Sequence, residues 1–292
     1  MTEKASYIWL VAAENGALPG GKVGGVGDVL HHLPLALAEQ GLRVRVVTPA
    51  YGVLHRLPGA RRHRRVALSF GGRPRRAAVF RLGPDRAPVE QFVIEHALLR
   101  PRGPGRIYDA DPPGEAYATD AGKFAFFNAA VAAWVEQANT APDVLHLHEW
   151  HAGLLPALRA RAPRNGALAR VRMVFTIHNL AYQGIRPQAG HRSSLQAWFP
   201  GAQRLRAAQA DPRYPDCVNF MASAISAADV LNTVSPSYAR EILEPPDPRT
   251  GAGGGEGLES LLQAAFAAGR LSGILNGCDY PEPPPRPVAW PR

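Results

Sequence analysis

An α/β fold with a doubly wound, mostly parallel sheet is predicted by three features of this 292-residue chain. Short apolar runs alternate with amphipathic segments, the pattern of parallel strands crossed over by helices. A glycine-rich turn, Gly20-Gly21-Lys22-Val23-Gly24-Gly25-Val26-Gly27-Asp28, leaves the first apolar run and opens a helix. Residues able to do chemistry recur where later strands end, the edge at which open α/β sheets hold ligands.

The strands expected in order are Tyr7–Ala12, Val44–Thr48, Val144–His148, Arg172–Ile177, Val230–Val234 and Ser272–Leu275. The first helix is expected over Val26–Gln40, where Gly41 stops it. A longer one is expected over Ala118–Asn139, with Phe124, Phe127, Val131 and Val135 on one face. Further helices are expected over Ala152–Arg161, Cys217–Ala227, Pro236–Leu243 and Leu258–Ala268. Val66–Phe70, Ala77–Leu82 and Glu90–Ile94 read as short strands of a small β-rich excursion off the main sheet. The chain divides into a domain over residues 1–280 and a proline-rich tail over 281–292, whose composition excludes helix and central strand.

Hydrophobic content of 46% and charged content of 20% are those of a globular domain. No apolar run is long enough to span a bilayer, and Met1-Thr2-Glu3-Lys4-Ala5-Ser6 has no signal pattern, so a cytoplasmic protein without a membrane partner is expected. Cys217 and Cys278 suit neither a disulfide framework nor a zinc knuckle. Between His55 and Arg106, 13 arginines face only Asp85, Glu90 and Glu95. Such a patch could attract nucleic acid, but no interleaved aromatics or recognition helix accompany it, and the chain's overwhelming preference for arginine over lysine accompanies abundant Ala, Gly and Pro. No nucleic-acid partner is expected.

Three motifs carry the chemistry. Gly16 to Val23 approaches a P-loop, but Val23 replaces the hydroxyl that would hold Mg²⁺, and Pro19 stiffens the loop. The dinucleotide fingerprint also fails, because Gly25-Val26-Gly27-Asp28-Val29-Leu30 ends in leucine. A turn of glycines that exposes amides at a helix N-terminus, with Lys22 inside it, still suits a phosphate or diphosphate; a purely structural turn is the competing reading. His146-Leu147-His148-Glu149-Trp150-His151 ends one strand, with His146 and His148 on one face. It is open to a zinc reading or to strand-end capping. Thr176-Ile177-His178-Asn179-Leu180-Ala181-Tyr182-Gln183-Gly184 leaves another strand at the same edge. Convergence of three clusters from different strands argues for a site.

These residues resemble a known family. Lys22-Val23-Gly24-Gly25-Val26-Gly27-Asp28-Val29 resembles the KTGGLGDV loop of bacterial glycogen synthases and plant starch synthases, and His146 to Leu154 resembles their HxHDWHxGL. Thr176 to Gly184 is similar to TxHNLAYQG, Thr233 to Ile242 to TVSPTYAREI, and Gly257-Leu258-Glu259 with Leu271 to Gly277 to GLE and LSGILNG. The resemblance runs from about residue 6 to residue 280. It implies the N-terminal Rossmann-like half of a GT-B glycosyltransferase, moving glucose from ADP-glucose to the non-reducing end of an α-1,4-glucan with retention and without a cofactor or required metal.

Carried over by position, the resemblance implies that Lys22 and the amides of Gly24 and Gly25, with Asp28 in the same loop, bind the departing diphosphate. It puts His178 beside the transferred glucose and Glu149 in the place of the family's catalytic aspartate, one methylene longer. Tyr108, His148, Asn179 and Asn276 are implied to line the substrate cleft. The family continues with a C-terminal domain that supplies further phosphate-gripping and sugar-facing groups, so such a domain, in a separate chain or as the rest of a longer one, is the expected partner besides glucan and nucleotide sugar. A non-catalytic paralogue that binds glucan or regulates is the alternative.

Overall fold

The computed structural model describes residues 5–201, 210–249, 251 and 253–277. The proline-rich tail expected over 281–292 lies outside the described residues.

Among the described residues, eleven strands and eight α-helices follow in chain order: β1 (Tyr7–Val11), α1 (Gly25–Glu39), β2 (Arg43–Pro49), β3 (Arg61–Phe70), β4 (Arg73–Leu82), β5 (Val89–Glu95), α2 (Ala118–Glu136), β6 (Val144–His148), α3 (Leu155–Arg161), α4 (Ala167–Arg170), β7 (Arg172–Ile177), β8 (Ile185–Pro187), α5 (Leu195–Trp198), β9 (Cys217–Asn219), α6 (Phe220–Ala227), β10 (Val230–Thr233), α7 (Pro236–Glu241), α8 (Glu259–Ala267) and β11 (Leu271–Gly273). Nine strands form one sheet in the order β11-β10-β7-β6-β1-β2-β5-β4-β3. Every pairing from β11 to β5 is parallel, so those strands all end at one edge. The order reverses around β1, which pairs with β2 on one side and β6 on the other. That reversal opens a crevice at the carboxyl ends of the strands.

The expected β-rich excursion lies in the main sheet instead of off it. β5 pairs in parallel with β2, and β4 and β3 extend the same sheet as antiparallel strands. Hydrophobic alternation gives strands but no sheet address, which is why these strands read as set apart from the main sheet. The arginines of β3 and β4 flank an edge strand, where charge discourages pairing with a second chain.

α2 is buried nearly all round, not along a single stripe: Phe124, Phe126, Phe127 and Trp134 are all fully covered. It packs on β3 and is covered by α3, α4 and α5, so no face remains for solvent. Its neighbours explain a second difference. The segment expected as one helix over Cys217–Ala227 splits, because Cys217–Asn219 pairs with Ile185–Pro187 as a short antiparallel ribbon. Asn219 then caps α6, accepting from the Ala222 amide at 2.9 Å.

Candidate active site at the carboxyl edge

The chain leaves β1 through Ala12 and Ala13 into Glu14, and there the glycine-rich loop folds back. The Asn15 amide donates to the Gly21 carbonyl (2.7 Å) and the Gly16 amide to the Gly27 carbonyl (3.0 Å). A Cβ at Gly16 would stand 2.4 Å from the Gly27 oxygen, and one at Gly21 would stand 2.6 Å from the Asn15 oxygen. Glycine is therefore required at both positions for backbone to meet backbone. Once folded, the loop presents the amides of Val23 and Gly24 to one buried carboxylate. Glu14 Oε2 accepts from both, at 2.7 and 2.6 Å, while Glu14 Oε1 accepts from the Tyr108 hydroxyl at 2.7 Å.

The Gly24 amide is engaged by Glu14, and the Lys22 ammonium is paired with Asp28. What faces outward is Lys22, 44% exposed along its side chain, and the Gly25 amide in the first turn of α1, which meets no acceptor among the described residues. With Glu14 and Asp28 both present, the loop alone does not carry a surplus of positive charge. Glu14 was missed by the sequence reading. The available signal was a carboxylate set at the end of β1, ten residues before the amide that it holds.

β6 and β7 run side by side, with His146 level with Val174 and His148 level with Thr176. His146 Nε2 meets Thr176 Oγ1 at 2.7 Å, and that hydroxyl donates onward to Asn232 Oδ1 at 2.8 Å. Because the threonine proton goes to Asn232, His146 must donate through Nε2. His148 Nδ1 meets His178 Nε2 at 3.1 Å, leaving His148 Nε2 buried and without a protein partner. Burial pushes His146 and His178 down to about 4 and His148 well below the usual imidazole range. The Glu14 charge pulls His178 part of the way back, which sets Glu14 and His178 in one electrostatic environment. All three rings are neutral at neutral pH, so they act as hydrogen-bonding groups and not as proton donors of the imidazolium type.

Glu149 is turned inward. Its Oε1 accepts from the His178 and Asn179 amides at 2.7 and 2.8 Å, fixing the exit of β7. Burial raises its carboxyl to about 7, against the opposing pull of backbone amides at Asn179, His178 and Trp150. The carboxylate at the place of the family's aspartate is thus tied to the backbone that carries His178. Tyr108 is likewise engaged by Glu14, its ring 5.2 Å from that of His151 and not free on both faces.

His146, His148, Thr176, Asn232 and Asn276 line a cleft of about 530 Å³ together with residues of α1. His178 and Asn179 line an adjoining cleft of about 330 Å³ with Tyr238 and Glu241. Among the described residues no group of three or more His, Cys, Asp or Glu has the arrangement of a metal site. No helix among them is long and apolar enough to cross a membrane.

A parallel sheet that reverses at β1, with an amide-rich loop and strand-end histidines meeting at its carboxyl edge, defines one Rossmann-like half of a GT-B fold. The starch synthase catalytic domain family matches residues 7–264, and the chain belongs to that family. A glycogen synthase of Anaeromyxobacter sp. (strain Fw109-5) is 40% identical over 282 residues, covering 94% of this chain and 53% of the relative. The glycogen synthase of Myxococcus xanthus (strain DK1622) is 35% identical over 273 residues, covering 90% and 52%. Among solved structures, the catalytic domain of starch synthase IV from Arabidopsis thaliana, bound to ADP and acarbose, superposes with a TM-score of 0.77 at 27% identity, covering 94% of this chain and 52% of that one. The chain spans about half the length of these relatives, corresponding to their N-terminal part.

Proposed function

We propose that this chain supplies the acceptor-side half of a retaining glucosyltransferase that moves glucose from ADP-glucose to the non-reducing end of an α-1,4-glucan. The observation that carries the reading is the meeting of the Glu14-braced glycine loop with the His148–His178 pair at one sheet edge, in a member of the starch synthase catalytic domain family. The ADP and acarbose bound to the Arabidopsis relative agree in class with a nucleotide-sugar donor and a glucan acceptor.

In this reading the open Gly25 amide and the N-terminus of α1, with Lys22 released from Asp28, receive the departing diphosphate. Lys22 and Asp28 are both surface groups, so their pairing is weak enough to be exchanged for a phosphate. The two carboxylates beside the loop leave most of the charge compensation to a second domain, which we propose as the partner that completes the site. Neutral His178 donates or accepts one hydrogen bond at the transferred sugar, and His148 Nε2, Asn179 and Asn276 receive sugar hydroxyls along the clefts. No metal takes part, and the cytoplasm is the proposed compartment.

Glucose transfer from ADP-glucose to glycogen, measured with this chain and a C-terminal synthase domain added in trans, tests the proposal. Transfer that depends on both pieces and falls at least tenfold in Lys22→Ala is the expected result. A second reading, glucan binding without transfer, draws on the engagement of Lys22 by Asp28. Glycogen binding with no transfer under complementation would decide for it.

A further inference from the structure

The loop after β7 is held from several sides, yet it turns an aromatic ring into solvent. The Leu180 amide donates to the Tyr238 hydroxyl at 3.2 Å, and the Ala181 amide to Asn179 Oδ1 at 2.7 Å. Gln183 is buried, donating to the Leu180 and Glu256 carbonyls at 3.0 Å each, while its Oε1 accepts from Arg213 (2.9 Å) and Asn219 (2.7 Å). Gly184 has φ +66°, and a Cβ there would stand 2.3 Å from the Trp150 ring. Between these fixed points Tyr182 is 54% exposed. An aromatic ring gains by burial, so rigid presentation of one to water is informative: a preorganised ring has little entropy left to lose when a ligand covers it.

Tyr182 does not stand alone. Its ring lies edge-on to Tyr117, with centroids 5.8 Å apart, and Tyr117 in turn meets Trp150 at 6.2 Å. Trp150, His151 and Tyr108 continue the row inward at 4.3 and 5.2 Å, ending at the hydroxyl on Glu14. The outer end of the row therefore rests on buried rings that belong to the site. Tyr117 itself adopts φ 61°, ψ 10° at the start of α2, a left-handed conformation that a bulky residue rarely takes. Such conformations gather where a side chain must be aimed. Neither tyrosine hydroxyl has a partner among the described residues, and the Asn179 side-chain nitrogen on the same loop is also unpaired there.

We propose that Tyr182, backed by Tyr117, is a stacking platform for the α-glucan chain, on the loop that runs out from the cleft lined by His178 and Asn179. The inference rests on the glucan-acceptor reading above and adds a contact to it. A pyranose ring has one apolar face of C–H groups and a rim of hydroxyls. An exposed phenol ring covers the first, and the free phenol and amide groups meet the second. The platform holds chain units beyond the reacting end, so it sets affinity for long acceptors more than for short ones.

The test is the retardation of the full chain in native gels containing glycogen, with maltoheptaose as competitor. Tyr182→Ala is expected to weaken glycogen affinity about tenfold, as loss of one stacked aromatic face implies. Tyr182→Phe is expected to keep most of the affinity, and Phe266→Ala, an exposed aromatic on α8, to leave it unchanged. Unaltered affinity in Tyr182→Ala, or a loss in Tyr182→Phe as large as in the alanine variant, overturns the platform while the glucan reading stands. A parent chain that neither binds glycogen nor maltoheptaose overturns the glucan reading itself, and the platform with it.

Discussion

The Glu14 carboxylate holds the Gly24 amide at 2.6 Å, so the protein places a negative charge of its own where a run of amides would otherwise hold an anion. The bond is charge-assisted and part-buried, and it shares its oxygen with the Val23 amide. Its effect is to fix the turn that begins α1.

Glu14→Ala is expected to leave the part-buried Val23 and Gly24 amides and the Tyr108 hydroxyl without their acceptor and to cost about 1–3 kcal/mol, the amides being partly compensated by water. Hydrogen exchange gives the sharper check. The amides of Val23 and Gly24 should lose protection in the variant while those of β1 and β2 keep it. Unchanged protection at both positions would mean that the carboxylate does not brace the loop.

Lys123 extends the same brace. Its ammonium is fully buried, donating to the Ile107 carbonyl at 2.6 Å and pairing with Asp109 at 2.8 Å and Asp120 at 2.6 Å. It thereby fixes the segment that presents Tyr108 to Glu14. Lys123→Met leaves two buried carboxylates facing each other and is expected to destabilise the fold by about 3–5 kcal/mol. Urea denaturation measures this. Adding Asp109→Asn and Asp120→Asn to Lys123→Met should restore part of the loss; no restoration would show that packing, not charge, dominates there.

Acid should weaken the fold through the strand-end histidines. Burial disfavours the imidazolium, holding His146 and His178 near 4 and His148 and His151 well below the ordinary histidine range. Groups depressed in this way contribute stability that is complete above the ordinary histidine value of about 6.5 and is lost as pH falls through about 4. Glu149, raised to about 7, acts in the opposite sense: its contribution is complete below about 4.5 and is lost as pH rises through 7. Four depressed histidines outweigh one raised carboxyl, so the urea midpoint should fall from pH 7 to pH 4.5. Glu149→Gln should steepen that fall. A midpoint that rises on acidification would contradict the assignment of these rings as buried and neutral.

Much of the architecture was legible because it depends on local pattern. β6 and β7 were read with the ends that the fold gives them, since apolar runs bounded by polar residues mark buried parallel strands plainly. The glycine loop, His148 and His178 were legible as strand-end residues, Asn276 only through the family resemblance, and the sheet brings β1, β6, β7 and β11 to one edge. What the sequence could not convey was which partner each group takes. Glu14 engages Gly24 across ten residues, Glu149 turns onto the amides after β7, and Asp28 meets Lys22 within the loop. Each choice depends on where two elements cross, which periodicity does not encode. The split of Cys217–Ala227 had the same cause, because the pairing with β8 is settled by a distant strand.

Glu149 has a backbone geometry that makes its role separable from its strain. Its φ of 64° and ψ of 168° fall in a region that is almost restricted to glycine, at a cost of about 1–3 kcal/mol for a residue with a Cβ. The side chain offsets this by accepting from the His178 and Asn179 amides. Glu149→Ala keeps the strain and loses the carboxylate, so it should be the least stable variant. Glu149→Gly loses the same bonds but relieves the backbone, and should be more stable than the alanine variant by about 1–3 kcal/mol. Both should expose the amides of His178 and Asn179 to exchange, and both should lower glucosyl transfer in the complemented enzyme through misplacement of His178, by about 100-fold for a shift of about 1 Å. Transfer that survives in the glycine variant would separate Glu149 from the placement of His178, and an alanine variant more stable than the glycine one would remove the strain from the account.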